Sequence, residues 1–176
     1  VRVIETLEQV GNRLQVAIIV GNVPTDGSGD IRVIYANGPA AALFGHPSSM
    51  SMEGMDVRSL MPKEIATDHK QIVSRYVEQA NGGSIRSASI MGNWRSLDAV
   101  KRDGSTVPVQ ANVADIRNSE ERYFVAIFRD RTDELQREAE LEASKLAMEK
   151  ALERAEKARY EAEEAKSKAE GGLLRQ

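Results

Sequence analysis

From Asp133 to Glu170 the chain runs for 38 residues without a glycine or a proline. Ala, Glu, Lys and Arg dominate the run, and all four favour the helix. Such a stretch folds as a single helix, about 57 Å long at about 1.5 Å per residue. Compact folding is thereby confined to the residues before Asp133. The helix carries a seam: Leu141, Ser144, Met148, Ala151, Ala155, Ala158, Ala162, Ala165 and Ala169 follow alternating steps of three and four. That is a heptad with Leu141 at a and Ser144 at d, and it predicts a parallel two-stranded coiled coil. Glu161 at g can pair with Lys166 at e across the two helices, whereas Arg154 and Arg159 oppose each other there. A core Leu-to-Ala exchange costs about 2–5 kcal/mol, so a seam made mostly of Ala holds weakly. A weak seam suits a switch, which a sensor can bias only by its differential binding energy. A passive dimerising spacer would carry the same pattern.

Ahead of the rod, Leu97 to Thr132 reads as an antiparallel meander. Leu97 and Ala99, then Val107, Val109, Ala111 and Val113, alternate with polar residues at period two, the mark of a half-buried strand. Asp103-Gly104 between them is a hairpin signal, because glycine accepts positive φ at little cost. Arg117-Asn118-Ser119-Glu120 makes a second turn. Tyr123 to Phe128 is apolar at both parities and predicts a strand buried on both faces, hence central.

Earlier segments are simpler. Val3, Ile4, Leu7, Val10, Gly11 and Leu14 fall at helical spacing and predict an amphipathic helix over residues 1–14. Gln15 to Gly21 reads as a strand. Asn22 to Asp30 is turn-rich, with Pro24, Gly27 and Gly29, but lacks the Gly-Lys-Ser/Thr ending of a phosphate loop. Ile31 to Ala36 is the next strand, and Asn37 is a fitting N-cap, with Pro39 in the first turn and Gly45 as the stop. His46, next to Pro47, is expected to be exposed. Met50, Met52, Met55 and Met61 can fill a core or form an adaptable pocket wall. Ile65, His69, Ile72, Val73, Tyr76 and Ala80 follow the i, i+3, i+4 rule over Glu64 to Ala80 and place His69 on the inward face of a helix. Taken alone, such a histidine is most simply a hydrogen-bonded core residue.

Composition removes several functions. The net charge of −3 gives no basic surface for nucleic acid. The absence of cysteine excludes disulfides, thiolate metal sites and a Cys nucleophile in this chain. Apolar runs such as Val16 to Val20 are far too short to span a membrane, so no membrane contact is expected. With no signal peptide, a cytoplasmic location is expected, and the start at Val1 implies a segment of a longer protein. No nucleophile–base set or phosphate loop is visible, the two histidines are isolated, and Glu163-Glu164 sit on a solvated helix. The segment is therefore read as regulatory and not as an enzyme.

Ala99 to Val109, with Lys101-Arg102-Asp103-Gly104-Ser105 at its centre, resembles the "kRDGs.fPv" hairpin of PAS domains. Phe128-Arg129-Asp130-Arg131-Thr132 resembles the "xxDxT" ending of that family, Tyr35 to Gly45 its strand-to-helix segment, and Leu60-Met61-Pro62 the lead into its F helix. The resemblance spans Gln15 to Thr132 and implies an α+β PAS fold: a five-stranded antiparallel sheet with helices on one face. Residues 1–14 would be the N-terminal helix, 15–132 the sensor domain, 133–170 the coiled-coil signalling helix and 171–176 a tail. The family uses the positions of Asp130 and Thr132 to tie the sheet to the signal helix. The missing cysteine excludes the flavin–cysteine photochemistry of LOV-type members and the cysteine-linked chromophore of photoactive yellow protein.

Asp68 to Tyr76 is similar to the F helix of the FixL-type haem oxygen sensors. That similarity implies His69 as the proximal ligand of a haem b iron, Arg95 as the arginine answering oxygen, and Ile90 and Val113 at apolar distal positions. Ile72, Val73, Tyr76 and Trp94 complete the expected cofactor-binding set. Three features depart: Trp94 replaces a glycine, Ala111 replaces a leucine, and Gly82 to Gly92 lacks the "iiGigR" run. An indole at 94 is expected to occupy the haem cavity. The leading reading is thus a PAS sensor for a small molecule or gas, dimeric through Leu141, Met148, Ala151, Ala155, Ala158, Ala162 and Ala165. Its output would be a histidine kinase first and a diguanylate cyclase second. A flavin redox sensor and a ligand-free dimerisation scaffold are the alternatives.

Overall fold

The computed structural model describes residues 9, 11–13, 15–24, 28–81, 92–117 and 121–173. The strands are β1 (Ala17–Asn22), β2 (Arg32–Ala36), β3 (Arg95–Val100), β4 (Thr106–Arg117) and β5 (Arg122–Asp130). The helices are α1 (Gly38–Leu43), α2 (Lys63–Asn81) and α3 (Thr132–Leu173), with two 3-10 turns at Ser49–Met52 and Val57–Leu60. All pairings are antiparallel, in the order β2-β1-β5-β4-β3. β5 is the central strand, and its Phe124 and Val125 are buried at opposite parities. This is the α+β fold that the resemblance implies. The expected helix over residues 1–14 lies outside the described residues except at positions 9 and 11–13, which are helical. The expected tail, 171–176, lies outside them from residue 174 on, and α3 takes in Gly171, Gly172 and Leu173, three residues past the expected end at Glu170.

The two faces of the sheet are set by strand parity. Phe124 and Phe128 face inward, where α1 and α2 pack, while Tyr123 and Val125 face outward with Ile18, Val20 and Tyr35. A β-bulge permits this on β2. Val20 pairs with Tyr35 but Gly21 pairs with Val33, so Ile34 is left over and 40 % exposed. The extra residue puts Val33 inward and Tyr35 outward, which an unbroken strand could not do.

One inner cluster gathers Ile19, Val33, Ala40, Phe44, Met52 and Val109. Phe44 is fully buried, with its ring edge-on to Phe128 at 5.3 Å. Met52 fills core, whereas Met50 is exposed, so the methionines do not form one wall. The hairpin tip closes as read: Gly104 has φ +84, the N–H of Lys101 donates to Ser105 O at 2.8 Å, and Asp103 accepts from the N–H of Ser105 at 2.9 Å. The tip docks on α1 through Arg102 N–H to Phe44 O at 2.9 Å.

Asn37 holds the first half together. Its Oδ1 accepts from the N–H of Ile18 at 2.9 Å and of Ala40 at 3.0 Å, and its Nδ2 donates to Val16 O at 2.8 Å. It is therefore the N-cap of α1 and a clamp on the start of β1 at once.

The contacts divide the chain after Thr132. Beyond that point α3 is one helix of 42 residues, with Asp133 and Glu134 in its first turn where the helix dipole favours them. Residues 132–169 are all exposed. Its large apolar residues do not gather on the heptad seam alone. Leu141 and Met148 lie on it, but Leu135, Leu146, Leu152 and Tyr160 fall outside it.

Candidate functional site

α2 lies across the inner face, and its buried stripe is rotated from the one the apolar spacing suggests. Among its described side chains Val73 and Val77 are buried, packed with Val23, Ile31 and Phe124 and flanked by Val57, Tyr76 and Val113. Ile65 is 45 % exposed and Ile72 is 40 % exposed, so Ile72 does not line the layer between helix and sheet. The rotation has a cause in charge pairing. Lys70, one turn before Ser74, reaches Asp30 at 2.9 Å, and Asp30 also pairs with Arg58 at 3.1 Å. Gly29 fixes the same loop: it has φ +70, and a Cβ there would sit 2.6 Å from Lys70 O. The loop read as turn-rich is thus a strap on α2.

His69 sits on the edge of the buried stripe and is half-buried. Its Nδ1 is buried and has no hydrogen-bond partner among the described residues. Burial holds its pKa below the ordinary value; the Asp56 carboxylate works against this and the Arg58 guanidinium works with it. The imidazole is therefore neutral at pH 7, with an uncommitted ring nitrogen. A neutral imidazole with such a nitrogen is the donor that a haem iron takes, so this residue fits the group the resemblance implies. The second histidine, His46, was expected to be exposed but is half-buried, and burial also lowers its pKa.

Further along α2 lies a polar cluster. The Tyr76 hydroxyl donates to Asp115 Oδ2 at 2.9 Å. Arg122 donates from Nε to Asp115 Oδ1 at 2.9 Å and from Nη2 to Oδ2 at 2.7 Å, and Arg117 Nη2 adds a bond at 2.8 Å. The Arg122 guanidinium also lies over the Tyr76 and Phe124 rings at 5.2 and 5.7 Å. Burial pushes the Asp115 carboxyl up, but the bonds from Arg122, Arg117 and Tyr76 outweigh it and hold the pKa at about 2. Neither Asp115 nor Arg122 stood out in the sequence. Parity was the available signal: Asp115 continues the inward Val107 to Val113 series, and Arg122 precedes Phe124 at the same parity.

The remaining expected residues are dispersed. Val73, Tyr76 and Val113 share the inner layer. Trp94 does not enter it. The guanidinium of Arg129 lies 4.5 Å from the Trp94 ring centroid, and Arg129 has the outward parity of Tyr123 and Val125. The expectation that the indole fills the cavity is therefore corrected: Trp94 is an outer-face residue, 42 % exposed. Arg95 is exposed and pairs with Ala111 across β3 and β4. Ile90 lies outside the described residues. Among the described residues no cluster of three or more His, Cys, Asp or Glu could hold a metal ion. No described helix is long and apolar enough to cross a membrane.

At the exit, Asp130 Oδ1 accepts from the N–H of Thr132 at 2.7 Å, which caps the start of α3. Arg131 is tied to the neighbouring strands, through its N–H to Pro108 O at 2.9 Å and through Nη1 to Ser96 Oγ at 3.2 Å.

The comparisons agree with this architecture. The family model described as PAS domain matches residues 15–133. The sensor protein FixL of Bradyrhizobium diazoefficiens is 30 % identical over 117 residues, covering 66 % of this chain and 21 % of that protein. The chain thus spans about a fifth of that relative's length. The PAS domain of a protein from Colwellia psychrerythraea superposes with a TM-score of 0.50 at 17 % identity, covering 73 % of this chain and 96 % of that one, a likeness of fold alone. Sheet order, exit motif and family model converge on one assignment, and the chain belongs to the PAS domain family.

Proposed function

We propose that this chain is a sensory module that holds a small ligand between α2 and the sheet. His69 is its contact to that ligand, and the ligand is haem b. The observation that carries this reading is the buried, unpartnered Nδ1 of a neutral His69. The resemblance of Asp68 to Tyr76 to FixL-type sensors supports it, as does the identity with a sensor protein. The outward position of Trp94 also supports it, since the indole does not occupy the inner layer. Haem, when bound, supplies an iron that takes a diatomic gas. The chain's own residues do the rest: His69 orients the group, while Val73 and Val113 exclude water. Asp130 and Thr132 then pass strain in β5 to the first turn of α3. In this reading α3 pairs with a second copy as a parallel coiled coil and sets the geometry of a histidine kinase output.

The test is the absorption spectrum of the purified protein before and after hemin is added. A sharp Soret band that shifts with dithionite and again with carbon monoxide is expected, and His69→Ala should abolish it with the fold intact. Unchanged hemin binding in that variant would remove His69 as the ligand. One observation favours the second reading, a ligand-free dimerisation module: Val73 and Val77 already pack on Phe124. A lone 280 nm band unaltered by hemin would select it, and a flavin spectrum would select redox sensing.

A further inference from the structure

We infer that Arg122 is a carboxylate anchor in the layer between α2 and the sheet, so that the ligand held there carries a carboxylate. This rests on the ligand site proposed above and names the chemistry of its ligand. Arg122 is 8 % exposed, and its parity on β5 points it toward α2, where its guanidinium meets the Tyr76 ring. Nε and Nη2 are committed to Asp115. Nη1 is buried and has no hydrogen-bond partner among the described residues. A guanidinium never deprotonates in a protein, so it cannot escape the cost of an unmade bond by becoming neutral. The group that answers a buried N–H of a permanent cation best is an anionic oxygen, because a charge-assisted bond is about twice as strong as a neutral one. Asp115 is held as an acceptor on one edge of the fork, and the other N–H group is left for an incoming acid. The aromatic faces of Tyr76 and Phe124 wall the guanidinium and keep its plane fixed. His69 and Tyr76 lie seven residues apart on α2, about 10 Å along the helix at about 1.5 Å per residue. One ligand of that length could therefore meet both the imidazole and the guanidinium. Two sources of the carboxylate fit this geometry: the propionates of haem, and a free dicarboxylic acid.

The experiment compares hemin with hemin dimethyl ester by absorbance titration, and measures the thermal midpoint with and without succinate. The expected result is that wild-type protein binds hemin about tenfold tighter than its ester, and that the gap closes in Arg122→Gln. Equal affinity for acid and ester overturns the Arg122 assignment and leaves His69 as the haem contact. A gap that persists in Arg122→Gln also overturns it. If hemin fails to bind but succinate raises the midpoint of wild type and not of Arg122→Gln, the anchor stands with a free acid and the haem reading falls. No response to hemin or succinate overturns the anchor. The acid–ester comparison is made on wild type, so a poorly folding variant does not remove the test.

Discussion

At the scale of single residues, two side chains govern what can be measured first. His69 has a pKa below 6.5 in the folded chain, with burial as the main cause. The unfolded chain takes its proton near pH 6.5. As pH falls through that value the unfolded state binds more protons than the folded one, so stability drops. Urea midpoints should therefore fall from pH 7.5 to pH 5, and His69→Gln should flatten that slope. A residual slope belongs to His46, whose shift has the same sign. Identical slopes in the two proteins would refute the assignment of a buried neutral imidazole. Asn37 governs stability instead. Replacing it with Ala removes a helix cap worth about 1 kcal/mol and strands the Ile18 N–H and Val16 O inside. A loss of about 2–4 kcal/mol is expected, read as a lower urea midpoint with an unchanged slope. The cap was legible in the sequence, because Asn before Gly-Pro at a strand-to-helix step has one natural role. The clamp on β1 was not, because it depends on a residue 19 positions away.

At the scale of elements, turn chemistry is legible in the sequence and the facing of a helix is less so. The hairpin at Asp103-Gly104 and the central place of β5 follow from turn chemistry and from burial at both parities. The facing of α2 does not follow from its apolar residues. Ile65 and Ile72 are more apolar than Ala66 and Lys70, yet they are the exposed pair, and the helix ties Lys70 to Asp30. Periodicity counts hydrophobicity, and a tertiary ion pair with a tight glycine loop outweighed it here. Gly29→Ala tests this directly. The new Cβ would stand 2.6 Å from a main-chain oxygen at a positive φ, so backbone must move. A loss of about 1–3 kcal/mol is expected, together with faster amide exchange in the Lys70 to Ser74 turn. Unaltered exchange there would show that the strap does not hold the helix. Trp94 was misplaced for a related reason: it precedes β3, where no strand parity assigns it to a face.

For the whole molecule, the compact unit ends at Thr132 and the helical unit begins at Asp133. If the rod pairs through its alanine seam, Ala151→Asp with Ala158→Asp should convert a dimer to a monomer in light scattering, since both positions are d. A dimer that persists would move the main interface to residues 1–14. The helix carries a further instruction. Leu135 and Leu146 are 11 residues apart, as are Leu141 and Leu152, while Leu141 and Met148 are seven apart. A seven-residue spacing winds paired helices to the left, and an 11-residue spacing winds them to the right. If α3 pairs with a second copy, its first half would hold both hands of supercoil in one sequence. A change of hand would rotate every residue downstream without breaking a backbone bond, so a paired rod would deliver torsion as well as proximity.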